Sequence, residues 1–109
     1  MPEVTNDERG RRVFQIHKEK AAEAAIEKIR QSMGPDWKIF TSTDLGILRY
    51  ILEETWVSLD RDTWEKCAFS RMKKSQLDSV IRIGGRVKRE EVREDRGVEE
   101  VSRILLTLV

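Results

Sequence analysis

Apolar residues recur at helical spacing through the first third of this chain. One stripe keeps that spacing: Phe14, Ala21, Ala25, Ile29 and Met33. Ahead of it, Thr5 and Glu8 stand at the spacing of a capping box, in which each residue satisfies a free backbone N–H of the other. Gly34-Pro35 ends the pattern, because glycine suits the left-handed position after a helix and proline cannot continue one. The sequence therefore predicts one long first helix that ends at Met33.

A second helix is predicted after a short apolar segment. The segment Asp36–Phe40 is too apolar for a free linker, so we expect it to fold back onto the core. Thr41 and Asp44 then repeat the capping-box spacing. Behind them, one helical face collects Leu45, Leu48, Ile51, Leu52 and Trp56. Gly46 weakens this helix slightly and would permit a close crossing by a neighbouring helix.

A third helix is predicted directly after a turn at residues 58–60. Asp60 is a suitable N-cap, since its side chain can accept a hydrogen bond from the first helical turn. The helix would run from about Arg61 to Met72. Its inward residues are Trp64, Cys67, Ala68 and Phe69. Two helices joined by so short a turn form a compact helix-turn-helix corner.

The stretch from residue 75 to residue 90 has two interpretations. Ser75 and Asp78 can cap a short helix, and residues 80–88 can equally form a hairpin around Gly84-Gly85. The helix is favoured because a hairpin would set Ile81 and Ile83 opposite charged side chains, so that the apolar residues would not share a face.

The end of the chain is likewise open to two interpretations. Val98, Val101, Leu105 and Leu108 have helical spacing, whereas residues 104–109 are apolar enough for a strand. In either form, so apolar a terminus needs a surface to cover it, supplied by this domain or by another chain.

The length bounds the organisation of these elements. A chain of 109 residues and 12.8 kDa can build one core and not two. We therefore predict a single domain over 1–109, with a core at about 8–83, a charged linker at 84–97 and an apolar C-terminal element at 98–109. The predicted fold class is mainly α: a small domain of four to five helices with a long N-terminal helix, a helix-turn-helix corner, and a short hairpin or strand as the open alternative in the last third.

Charge is distributed unevenly, although the net charge is only +1. Residues 71–93 hold eight basic against three acidic residues. Such an excess can build a surface that faces phosphates. The candidate nucleic-acid-binding residues are Arg71, Lys73, Lys74, Arg82, Arg86, Lys88 and Arg89. A solvated face of mixed charge is the alternative interpretation, because no aromatic residue follows Phe69 to stack on bases.

The usual catalytic and metal-binding patterns are missing from the sequence. A cysteine nucleophile needs a base within reach, and the chain holds one cysteine, Cys67, and one histidine, His17, on different predicted helices. Zinc requires a cluster of ligands that these two residues do not supply. Gly84-Gly85 lacks the lysine and hydroxyl residue of a phosphate-binding loop. The sequence predicts no catalytic residue, no metal site and no cofactor, and it predicts Cys67 to be a core thiol.

Cysteine content and hydropathy bear on location. One cysteine cannot form an internal disulfide, and no apolar run has the length of a signal peptide or a membrane span. We expect an intracellular, reducing compartment, nuclear or cytoplasmic, and no membrane partner.

The string TWVSLDRDTWEKCAF, residues 55–69, resembles a known family. Its spacing of Trp56, Leu59, Thr63, Trp64 and Cys67 is similar to the segment near the end of the DDE-superfamily transposase domain of pogo, Tigger and jerky-like elements. The resemblance covers about residues 13–69. In that family the catalytic carboxylates lie on an RNase-H-like core upstream, and the strands of such a core are not predicted here. The resemblance therefore implies the C-terminal helical tail alone, with a supporting or partner-binding role and no DNA cleavage.

Two functions follow as hypotheses. The first is a non-enzymatic helical interaction module that associates with itself or with a protein partner, most simply as a homodimer. Its predicted interaction residues are Phe14, Ala21, Ala25, Leu105 and Leu108. The alternative is nucleic-acid binding through the basic segment 71–93 without strong sequence preference. An enzyme is the least favoured class, because paired acid, base or nucleophile residues are lacking.

Overall fold

The computed structural model describes residues 6–91 and 95–107, with side chains at residue 10 and over 12–90 and 99–107. Five α-helices and one 3-10 helix follow one another: α1 (Asn6–Met33), the 3-10 helix Gly34–Ile39, α2 (Ser42–Ser58), α3 (Arg61–Ala68), α4 (Lys74–Glu91) and α5 (Asp95–Thr107). The described residues include no strand. The prediction of a small, mainly α domain with a long N-terminal helix is confirmed.

Helix α1 ends where the sequence predicts. Gly34 has a φ of 61°, the left-handed conformation that glycine adopts without a steric cost, and Pro35 follows it. The predicted capping residue Thr5 lies outside the described residues. At 1.5 Å per residue, the 28 residues of α1 are about 42 Å long. The molecule measures 49 × 28 × 27 Å, so α1 spans most of its long axis.

The predicted caps of the next two helices are present. Thr41 Oγ1 accepts a hydrogen bond from the Asp44 N–H at 3.1 Å, and the Asp44 carboxylate accepts one from the Thr41 N–H at 2.9 Å. At the start of α3, Asp60 Oδ1 accepts from the Thr63 N–H at 2.9 Å. Each cap satisfies backbone groups that the first turn of a helix leaves without an intrahelical partner.

Helix α3 is shorter than predicted. It ends at Ala68, so the expected end at Met72 is wrong. Phe69 leaves the helical conformation and its ring packs edge-on against Trp64, with 5.8 Å between centroids. The indole N–H of Trp64 donates to the Leu52 carbonyl at 3.0 Å, which ties α3 to α2.

Helix α4 corrects the prediction for the last third. It continues through Gly84-Gly85 to Glu91, so the hairpin alternative is wrong, and the residues expected to begin a charged linker at 84–97 are helical up to 91. The tertiary reason is burial: both glycines and Val87 lie against the rest of the domain. Helix α5 then begins at Asp95, ahead of the expected boundary at residue 98, and the strand alternative is wrong through Thr107.

One hydrophobic core draws on all five helices. Its largest fully buried side chains are Ile29, Leu48, Ile51, Leu52, Thr55, Cys67, Leu77, Val87 and Leu105. The core therefore extends past the predicted boundary at residue 83. Gly84 brings α4 against α2 beside Ile51 and Ile47, whereas Gly46, which was expected to permit a close crossing, has no neighbouring atom within 4 Å of a built Cβ.

The prediction that residues 36–40 fold back onto the core is correct for only part of the segment. Trp37 and Phe40 are half-buried, pack against the core and lie edge to face with ring centroids 5.5 Å apart. Ile39 does not join them, because its side chain is 52% exposed.

Candidate interaction surfaces

The N-terminal half of α1 has little of the domain beneath it. All side chains described from residue 10 to residue 17 are exposed, and the first fully buried side chain of α1 is Ala22. Nevertheless, three large apolar residues lie in this stretch, with exposed fractions of 51% for Val13, 46% for Phe14 and 48% for Ile16. Their exposure departs from the burial expected of such residues, and the three lie within four positions of one another.

The end of α2 extends this apolar surface. Phe14 contacts Trp56, with ring centroids 5.2 Å apart, and Ile16 lines a shallow groove with Arg49 and Glu53 of α2. Val57, next to Trp56, is 51% exposed. We call these five residues the α1 apolar patch: Val13, Phe14, Ile16, Trp56 and Val57. Both α1 and α2 contribute to the patch, and the Phe14–Trp56 contact links them.

The other predicted interaction residues are not at this surface. Ala25 and Leu105 have exposed fractions of 0% and 1% and form part of this chain's own core. The expectation that they meet a second chain is therefore wrong for this structure, because the chain itself covers them. Ala21 is half-buried beside α3. Leu108 lies outside the described residues.

The predicted nucleic-acid-binding residues are exposed, and some of them line two different depressions. Arg82 and Arg89 line one shallow groove, which also contains the carboxylates of Asp44 and Asp78. Arg71 lines a different depression, together with Lys28 of α1. Lys73 and Lys74 are exposed at the start of α4.

Two more of these cations already have partners within the domain. Arg86 Nη2 donates to the Glu100 carboxylate of α5 at 2.6 Å. The Lys88 ammonium lies 5.3 Å from the ring centroid of Tyr50. Burial, with a further contribution from the charge of Glu54, raises the pKa of Tyr50, so its hydroxyl stays protonated. Nucleic-acid binding through 71–93 stays a prediction.

A second surface lies between α1 and α3. Its floor includes Trp56, Trp64 and Phe69, and its rim carries His17, Lys20 and Arg61. Phe69 also lines the adjoining depression, which holds Lys28 and Arg71. The lining of the two depressions comprises His17, Lys20, Ala21, Ala24, Lys28, Gln31, Ser32, Trp56, Arg61, Trp64, Glu65, Phe69 and Arg71. The two depressions share Phe69, and we refer to them together as the α1–α3 groove.

Cys67 lies beneath these surfaces in the core. Its side chain is buried, and the loss of solvation raises the pKa of its thiol. A thiol of this kind is mostly protonated and therefore a weak nucleophile. This agrees with the sequence-based interpretation of Cys67 as a packed core residue. His17 is exposed on the rim of the α1–α3 groove.

Two absences hold for the part of the chain that the structure describes. There, no three His, Cys, Asp or Glu residues are grouped so that they could hold a metal ion. Across residues 6–91 and 95–107, no helix has both the length and the apolar character needed to cross a bilayer.

Sequence reasoning missed most of the α1 apolar patch. Val13, Ile16 and Val57 do not belong to the stripes from which the buried faces were predicted. The signal for such residues is a large apolar side chain that lies outside the apolar stripe of a clearly predicted helix. The α1–α3 groove gives no such signal, because its cations come from α1, α3 and the segment after α3.

Comparison with known proteins identifies no relative of this chain. No protein-family model, no curated protein and no solved structure matches the chain. The resemblance to the helical tail of pogo, Tigger and jerky-like transposases therefore stays a prediction.

Proposed function

We propose that this protein is a non-enzymatic helical interaction module that self-associates through the α1 apolar patch. The observation that carries the proposal is the exposure of Val13, Phe14 and Ile16 on a part of α1 that the domain leaves uncovered. A second copy presents the same patch, so a symmetric pairing would cover both at once.

The energetics favour pairing of modest strength. Burial of apolar area stabilises association by about 25 cal/mol per Å². A few half-exposed side chains are a small interface, since stable complexes bury about 800 Å² per partner. We therefore expect a dissociation constant of roughly micromolar or weaker, with the flanking surface of α1 contributing to the contact.

Sedimentation equilibrium over a concentration series tests this proposal. The average mass of the wild type should rise from monomer toward dimer, and Ile16→Glu should shift the transition to at least about tenfold higher concentration, since a charge would be placed inside the contact. Ile39→Glu is the matched control: the same substitution at a similarly exposed isoleucine, 52% against 48%, outside the patch.

The control should self-associate as the wild type does. A wild type that stays monomeric up to about 1 mM would overturn the proposal, since an association weaker than that is not specific pairing. An equal effect of both substitutions would overturn the assigned surface.

A further inference from the structure

The α1–α3 groove combines two kinds of surface that a single ligand can use. Its floor contains the methyl groups of Ala21 and Ala24 and the half-buried rings of Trp56 and Phe69. Lys20 on α1 and Arg61 on α3 lie along its rim. An apolar floor with a charged rim is the usual arrangement of a specific protein interface.

The charge along the groove is mostly positive. Lys20, Lys28, Arg61 and Arg71 line it, against the single carboxylate of Glu65. That carboxylate accepts a hydrogen bond from Arg61 Nε at 3.2 Å, so this pair offsets one positive charge and Lys20, Lys28 and Arg71 make up the excess. The whole chain carries a net charge of only +1, so the excess is local. A ligand complementary to this lining is anionic.

The aromatic rings are poorly placed for stacking on nucleic-acid bases. Trp64 is 3% exposed, and its N–H is bound to the Leu52 carbonyl. The Lys28 ammonium lies 4.3 Å from the ring centroid of Phe69, and Phe14 packs on Trp56. Stacking requires an open ring face, whereas an apolar side chain can be accommodated against ring edges and alanine methyl groups.

We infer that the α1–α3 groove binds an acidic peptide segment of a partner protein. The carboxylates of the segment pair with Lys20 and Arg61 at the rim and with Lys28 and Arg71 farther along. Its apolar side chains lie on the floor beside Ala24. The groove and the α1 apolar patch are adjoining surfaces: both include Trp56, and Lys20 also lines a depression with Ile16.

Fluorescence anisotropy with a short labelled peptide that alternates glutamate and leucine tests the inference. The wild type should bind it, and the affinity should fall as salt is added. The double variant Lys20→Glu/Arg61→Glu should bind at least about tenfold more weakly, since two attractive rim charges become repulsive. The control Lys38→Glu/Arg103→Glu makes the same change in net charge at exposed residues outside the groove and should bind as the wild type does.

A second variant examines the floor without altering charge. Ala24→Leu places a larger side chain in the groove and keeps a strong helix former in α1. It should lower the affinity for the peptide. The helical circular dichroism and the melting temperature should stay close to those of the wild type. Unchanged peptide affinity in this variant would overturn the assignment of the floor.

The remaining outcomes decide the ligand class. A peptide in which glutamine replaces glutamate should bind at least about tenfold more weakly, and equal binding would overturn the role of charge. No binding of the glutamate–leucine peptide would overturn the site. If a short oligothymidylate bound more tightly than the peptide and lost affinity in the rim variant, the groove would be a nucleic-acid site and the inference would be wrong.

Discussion

Gly84 of α4 lies directly against the side chain of Ile51 of α2, with no room for a Cβ between them. A Cβ built on Gly84 would be 2.5 Å from Ile51 Cγ1 and closer still to Cδ1. The contact sets the distance between α2 and α4, and it explains why a glycine inside α4 is compatible with a stable helix. Ile51 is itself fully buried, so it has little space to move aside.

Gly84→Ala should therefore destabilise the protein by about 1–3 kcal/mol, the usual cost of inserting a methyl group into a filled core. Equilibrium urea unfolding measures this change. Gly46→Ala is the matched control, because it makes the same substitution in a helix with no neighbour within 4 Å. It should stabilise the protein by about 0.5–1 kcal/mol through helix propensity.

The contact between Gly84 and Ile51 can be tested by a double-mutant cycle. Ile51→Val removes the Cδ1 atom that lies nearest to the built Cβ, so it should recover part of the stability lost in Gly84→Ala. If the two losses simply add, steric conflict with Ile51 is not the cause.

Trp64→Phe should destabilise the protein by about 1–2 kcal/mol, because the hydrogen bond from the buried indole to the Leu52 carbonyl is lost. Trp37→Phe makes the same ring change in a half-buried side chain and should cost less. Thermal or urea unfolding of both variants makes the comparison. An equal cost would show that the hydrogen bond to the Leu52 carbonyl adds little to stability.

Asp60 should make folding stability depend on pH in the acid range. Hydrogen bonds from the Thr63 hydroxyl and the Thr63 backbone N–H lower the pKa of Asp60 below its ordinary value of 3.8. Because the folded pKa is depressed, this stabilisation is fully present above the pKa of the unfolded chain and is lost as the pH falls through the folded pKa.

The comparison variant is Asp60→Asn, which keeps a good N-cap but has no carboxylate to titrate. Wild-type stability, measured by urea unfolding, should fall relative to that of Asp60→Asn as the pH decreases below about 4. A difference between the two proteins that is independent of pH would argue against the Asp60–Thr63 interaction.

Cys67 should be protected from modification in the folded protein. Its thiol is buried, and that burial raises its pKa. A reagent therefore has little access to the sulfur, and little of the reactive thiolate is present. Reaction with Ellman's reagent should be at least about a hundredfold slower in buffer than in denaturant, since it must await local or global opening. Comparable rates in the two solvents would place Cys67 at the surface.

Much of the local structure could be predicted from the sequence because its causes are local. The end of α1 at Gly34 and the caps at Thr41 and Asp60 depend on backbone groups within a few residues of each other. The apolar stripes of α1 and α2 likewise follow from helical periodicity. These features required no knowledge of which helix lies beside which.

Only the tertiary structure decided which apolar faces are covered by other helices and which stay exposed. Gly84-Gly85 signals a turn in isolation, but burial against α2 keeps it helical. Leu105 was expected at an interface and lies in the core, whereas Val13 and Ile16 are exposed because α2 covers the start of α1 only in part among the described residues. The cations of the α1–α3 groove are distant in sequence and meet only on folding. Helical periodicity determines which residues share a face, and only the packing of helices determines whether that face is covered.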